Sequence, residues 1–258
     1  MIAQCLARSA AICALLEATY RQPELGNSQD PIEELVYIVL STMTTEANYQ
    51  RAFATLRERF PTWDAVVAAP VAAIEDAIRI GGLAPTKAQR IQELLQRIRD
   101  HWGMLDLSFL HAWPTSEIRR YLCSLPGVGF KAATCVTAYS FGRDVCPVDT
   151  HTYRVAIRLG LLPLGTPELG RRSHVALEQN LPAGERLGFH INAIAHGRQR
   201  CHLERPRCDG CPLLDVCVAP EHGRYSRREA ASAVANPLDI NAQREEPTAG
   251  IGGAEVGG

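Results

Sequence analysis

The sequence predicts an all-α fold. Three observations carry that expectation. Helix-start signals recur along the chain, and apolar residues repeat at helical spacing. The Asn-Gly and Asp-Gly pairs that mark tight hairpins are almost absent. With 258 residues, 46% of them hydrophobic, the chain can bury one large core or two modest ones. No apolar run is long enough to span a bilayer, so no membrane partner is expected.

The elements follow in order. Ala3 to Leu16 reads as an amphipathic helix, because Arg8 interrupts its apolar run and Glu17 follows it directly. It lacks the marks of a cleavable secretory signal. Asp30-Pro31-Ile32-Glu33 has the form of a helix start: a capping Asp, proline at the first position, and Glu three residues on. Leu35 to Leu40 could pass for a buried strand, but that cap favours helix. Gln89 to Trp102 places Ile91, Leu94, Leu95, Ile98 and Trp102 on one helical face. Thr115 opens a helix that must stop before Pro126. A helix from about Phe130 is expected to end at Phe141-Gly142, where glycine suits the residue after the last turn. Asp149 caps the next helix, which ends at Gly160, and Thr166-Pro167-Glu168 starts another. From about Ser226 the chain is rich in Ala, Gly, Asn, Gln and Glu without periodicity, and disorder is expected there.

The net charge is −1. From Ala219 onward six acids face four arginines, leaving 23 basic and 22 acidic residues before it. The body is near neutral, so any contact with nucleic acid must be a local basic patch.

Four of the nine cysteines stand close together, Cys201, Cys208, Cys211 and Cys217, at the spacing C-x6-C-x2-C-x5-C. Cys5, Cys13, Cys123, Cys135 and Cys146 are scattered and read as small buried residues. Two disulfides would need an oxidising compartment, and no secretory signal points to one. A cytoplasmic setting is therefore expected. Four-cysteine zinc sites usually show two short pairs, and here only Cys208 and Cys211 make one. Spacing alone leaves zinc and an iron–sulfur cluster both open, since each accepts four thiolates.

The segment Leu125-Pro126-Gly127-Val128-Gly129-Phe130-Lys131 lies between two expected helices. Gly127 and Gly129 can adopt positive φ and let a ligand approach the backbone closely. The first N–H groups of the following helix have no partner within it. Together they make an anion site, suited to a phosphate and blind to base sequence. A plain helix–turn–helix corner is the simpler alternative. Lys131 falls in the first turn of the new helix, and Val148-Asp149-Thr150-His151 follows, with Asp149 eighteen residues after the lysine. A lysine at the positive end of a helix dipole should have its amine form favoured, and an amine is a nucleophile. Asp149 could take its proton or stabilise developing positive charge. The simpler readings are a solvated lysine and an ordinary N-cap.

Leu125-Pro-Gly-Val-Gly-x-Lys131, Val148-Asp-Thr-His151 and the four-cysteine run, in this order, resemble the endonuclease III branch of the helix–hairpin–helix DNA glycosylases. The similarity runs from roughly Asp30 to Cys217. His196-Gly197-Arg198 resembles the family's lead-in to the cysteines, and Gly82-Leu83 with Thr86-Lys87-Ala88 resembles its second DNA-facing loop. The resemblance implies two domains: a six-helix domain, 34–145, and a discontinuous iron–sulfur domain, 1–33 with 146–218, followed by the tail 219–258. It implies a 4Fe–4S cluster on Cys201, Cys208, Cys211 and Cys217. It also implies that a damaged nucleotide is flipped from double-stranded DNA. Lys131 would then attack C1′ of the deoxyribose, assisted by Asp149, and the resulting Schiff base would permit β-elimination. The implied substrates are oxidised pyrimidines and abasic sites, and the implied state is a monomer on the nucleoid. Gly127, Val128 and Gly129 are the implied backbone contacts to DNA. Arg198, Arg200, Arg205 and Arg207 are available for further contacts.

One departure stands out. Ser41-Thr42-Met43-Thr44-Thr45-Glu46 resembles the loop that fills the gap left by the flipped base, where the family commonly has glutamine. Here Thr42 or Met43 would fill it by apolar contact, with Leu83 as a second wedge. That departure keeps a second reading open, a damaged-DNA-binding protein with weak or lost catalysis.

Overall fold

The structure, a computed structural model, describes residues 2–168 and 170–219. The expected disorder beyond Ser226 lies outside the described residues. Among those residues the chain forms eleven α-helices, three short 3-10 turns and no strand. The helices are α1 (Ile2–Tyr20), α2 (Pro31–Ser41), α3 (Glu46–Arg59), α4 (Trp63–Ala68), α5 (Val71–Ile78) and α6 (Ala84–Trp102). They continue with α7 (Thr115–Cys123), α8 (Phe130–Tyr139), α9 (Thr150–Arg158), α10 (Arg171–Asn180) and α11 (Arg186–Gln199).

The expected caps form. Asp30 Oδ1 accepts from the N–H of Ile32 at 2.8 Å and of Glu33 at 2.9 Å, which starts α2 as a helix. Asp149 Oδ1 accepts from Thr152 N at 2.7 Å and starts α9. Ile91, Leu94, Leu95 and Ile98 are fully buried along one face of α6. Trp102 stays half-buried at the end of that face, where its Nε1 donates to the Tyr121 hydroxyl at 2.7 Å. In α1, Arg8 donates to the Leu159 and Val216 carbonyls at 2.6 and 2.7 Å, so the charge that breaks the apolar run serves a structural role.

Two expectations need correction. Thr166-Pro167-Glu168 starts no helix; α10 begins at Arg171. The Thr166 hydroxyl donates to Pro163 O at 2.7 Å, so its side chain serves a local turn instead of a cap. Cys13, Cys135 and Cys146 are buried as expected, but Cys123 is exposed at the end of α7. The side chain of Cys5 is outside the described set.

The buried apolar side chains fall into two clusters. One runs from Ile32 to Phe141 and joins α2 through α8. The other takes Ile12, Cys13 and Leu16 from α1 and combines them with residues between Cys146 and Leu213. The N-terminal helix therefore crosses over to pack with α10 and α11. Polar ties join the two groups. Arg119 on α7 pairs with Glu178 on α10 at 2.8 Å, and Ser140 Oγ donates to Ser28 O at 2.9 Å. Arg198 on α11 pairs with Glu46 at the start of α3.

Candidate active site and nucleic-acid interface

The turn between α7 and α8 is built as the anion-site reading requires, with two corrections. Gly127 has φ +73, and a Cβ there would lie 3.4 Å from Arg90 Cδ. Gly129 has an ordinary φ of −81 and serves as the N-cap of α8. Its freedom is spatial: a Cβ there would meet nothing within 4 Å. The Val128 side chain is buried in the larger core, so only its backbone can face a ligand. The first amides of α8 follow directly, and they have no acceptor within their helix.

Lys131 is half-buried one residue into α8. Its surroundings overturn the expectation of a favoured amine. The Cys135 sulfur, one turn along the helix, accepts from its ammonium and is the main influence raising its pKa. Burial opposes that rise, while the Asp149 and Glu34 carboxylates add to it. The free protein therefore holds Lys131 as an ammonium. Burial pushes the Cys135 thiol up to about 11, so at neutral pH it acts as a neutral partner. Glu34 is fully buried on α2, where Asn27 Nδ2 and Ser28 N donate to it at 2.6 and 2.8 Å.

Asp149 serves as cap and as charge together. Burial would raise its carboxyl, but His190, the Thr152 N–H, Lys131 and His151 outweigh that and hold it below its usual value. Two buried neutral histidines brace this turn. His174 Nε2 accepts from Val148 N at 3.0 Å, and its Nδ1 lies 2.8 Å from Gly170 O. His190 Nδ1 lies 2.9 Å from the Thr152 hydroxyl. Burial depresses both imidazoles to about 4. Glu34, Cys135, His174 and His190 are not legible as site residues from the sequence.

One signal was available. The chain carries 27 basic residues, and only Lys87 and Lys131 are lysines. Lysine and arginine are not interchangeable, which makes these two positions worth inspecting. Lys87 is buried, with Nζ donating to Leu40 O and Gly81 O at 2.8 Å each. That leaves Lys131 as the lysine open to chemistry.

Both loops expected to enter DNA project from the larger cluster. Met43 is 84% exposed and Leu83 is 52% exposed, and each has a left-handed backbone, with φ 49 and 51. Thr42 is exposed, but its hydroxyl donates to Ile38 O at 3.3 Å and so serves the end of α2. Leucine and methionine rarely adopt positive φ, and such strain concentrates at functional sites.

Cys201, Cys208, Cys211 and Cys217 line one cavity of about 300 Å³ together with Arg158, Leu213 and Leu214. None of the four is in a disulfide. Burial and then the neighbouring cysteines raise Cys211 and Cys217, a consequence of sulfurs gathered near one another. Arg158 Nη1 donates to Cys201 Sγ at 3.1 Å. Among the described residues no three His, Cys, Asp or Glu side chains converge as ligands of a single ion. Gly197 lets α11 approach α9, since a Cβ there would sit 2.9 Å from His151 Nδ1. Beside the cysteines, Arg198, Arg200, Arg205 and Arg207 share an open cleft of about 1150 Å³.

The sequence pattern of the HhH-GPD superfamily of base excision DNA repair proteins matches residues 36–173. Endonuclease III of Bacillus subtilis is 31% identical over 188 residues, covering 73% of this chain and 81% of that protein. The chain belongs to the endonuclease III family. A candidate DNA glycosylase of Arabidopsis thaliana is 35% identical over 213 residues, covering 78% of this chain and 70% of the relative. The fold agrees. A trapped covalent intermediate of endonuclease III with DNA superposes with TM-score 0.68 at 29% identity, covering 85% of this chain and 94% of the other. The matched segment runs from α2 to the start of α10, so it contains the hairpin turn, Lys131 and Asp149.

Proposed function

We propose that this endonuclease III family member is a bifunctional DNA glycosylase and abasic-site lyase acting on double-stranded DNA. The observation that carries the reading is the setting of Lys131. It stands at the head of α8 beside the hairpin turn, faces the anionic Asp149, and is the one lysine not locked into the backbone. The loop amides and the arginine cleft would hold phosphates, while Met43 and Leu83 occupy the space of a displaced nucleotide.

The chemistry follows from those residues. The Lys131 ammonium first gives a proton to the Asp149 carboxylate or through it to water. The Nζ lone pair then forms a bond to C1′ as the glycosidic C1′–N bond breaks, and the base leaves with that bonding pair. Opening of the sugar gives the Schiff base. Loss of a C2′ proton expels the 3′ phosphate and cuts the strand, and water releases Lys131. Oxidised pyrimidines and abasic sites are the substrates this reading assigns, with the protein acting as a monomer.

The cysteines fit a polynuclear centre. One zinc ion needs four sulfurs about 2.3 Å from a single point. The cavity lined by all four cysteines, together with membership of the endonuclease III family, supports the 4Fe–4S reading. Cys201, Cys208, Cys211 and Cys217 would hold the cluster, which when bound would lock their loop and the adjoining arginines in place.

The test is borohydride reduction on duplex DNA carrying an abasic site or thymine glycol. Wild type is expected to form a covalent complex that Lys131→Ala does not. Equal trapping by the two, or tight binding without turnover, would sink the reading. Iron content with a broad visible absorption band is the expected signature of the cluster, and stoichiometric zinc is the opposing result.

A further inference from the structure

Lys87 has no part in the chemistry above, yet it is buried to 2% exposure in the first turn of α6. That is a poor place for a cation. Burial holds its pKa below the usual lysine value, and the helix start presents the positive end of the dipole. Two carbonyls compensate: Nζ donates to Leu40 O and to Gly81 O, each at 2.8 Å. Both acceptors lie at element ends. Leu40 is in the last turn of α2, and Gly81 closes the 3-10 turn Arg79–Gly81.

Met43 stands three residues beyond Leu40, and Leu83 two beyond Gly81. Among the described residues these are the two exposed apolar side chains carried on left-handed backbone. Such strain persists only where the surroundings over-determine it. Capping one helix end with a cation needs one carbonyl. Lys87 instead joins two loops that are far apart in sequence. Its compact ammonium, with rotatable donors on a flexible stem, meets both carbonyls from one buried position.

We propose that Lys87 is a positioning residue that fixes Met43 and Leu83 relative to each other, so that both enter a duplex as one wedge. The proposal rests on the wedge reading of those two side chains. Lys87 acts through the backbone at Leu40 and Gly81 and touches no DNA.

The experiment uses the full-length protein and a duplex holding a tetrahydrofuran abasic analogue with 2-aminopurine in the opposite strand. The aminopurine brightens when it unstacks. Lys87→Met, which loses both hydrogen bonds, is expected to lower the ratio of abasic to undamaged affinity by at least about tenfold, the factor for one hydrogen bond from a charged group. It should also reduce the fluorescence rise, while affinity for undamaged duplex holds. Lys87→Gln, which keeps donors, should fall between, and it carries the test if Lys87→Met does not fold. A lower Tm with both duplexes weakened equally would show a merely structural role and overturn the proposal. Met43→Gly and Leu83→Gly separate the two ideas. If either abolishes unstacking while Lys87→Met leaves it intact, the proposal fails alone. If both glycine variants unstack normally, the wedge reading fails and takes the proposal with it.

Discussion

The two lysines of this chain occupy opposite environments. Lys87 is locked between two carbonyls, and burial favours its neutral form. Lys131 is held as an ammonium by Cys135 and by the Asp149 and Glu34 carboxylates. One lysine is anchored to the backbone; the other is charged beside Asp149. The contrast teaches that burial alone does not make a reactive amine. Lys131 must be released from its anionic neighbours when substrate arrives, so its proton is part of the reaction.

The largest test of this contrast replaces Lys131 by arginine. Lys131→Arg keeps the charge beside Asp149, but a guanidinium does not deprotonate in proteins. Lyase activity should vanish while affinity for undamaged duplex changes little, measured by strand cleavage and by titration of binding. Next comes Asp149→Asn. Asparagine caps a helix as well as aspartate does, so α9 should survive. Loss of the proton acceptor should slow single-turnover cleavage by about 10²–10⁴-fold. Collapse of thermal stability in that variant would mean the cap dominates.

A smaller effect concerns Glu34. Its carboxylate helps hold the Lys131 ammonium, so wild-type cleavage should quicken as pH rises. Glu34→Gln removes that charge and should move the rise to lower pH. An unchanged pH profile would remove Glu34 from the account.

The hairpin turn, both helix caps and the four cysteines were legible in the sequence because each depends on local residues. Asp30 and Asp149 accept from amides two and three residues away, so their roles are written in adjacent positions. The surroundings of Lys131 were not legible. Glu34, His174 and His190 come from three other helices, and only packing brings them near. The dipole of α8 favoured an amine, but Cys135 on the same helix, with the Asp149 and Glu34 carboxylates adding to it, reversed that expectation. Thr166 failed for a local reason, since its hydroxyl donates to Pro163 O within a turn and no helix follows until Arg171.

The smallest expected effect is on stability. His174 is depressed to about 4 in the folded protein and lies near 6.5 when unfolded. The unfolded chain then binds more protons across that window, so stability present above pH 6.5 is lost as pH falls toward 4. Thermal melts should show a declining Tm over that range, less steep in His174→Asn. Equal slopes would mean His174 is not the group that titrates.

The central claim is that Lys131 is the amine that meets DNA. Its most direct test is mass-spectrometric mapping of the borohydride-trapped complex after proteolysis. With only two lysines in the chain, the assignment is unambiguous. The account predicts one crosslinked peptide, containing Lys131. A crosslink at Lys87 or at any other amine, or a trapped complex that survives Lys131→Arg, would contradict it.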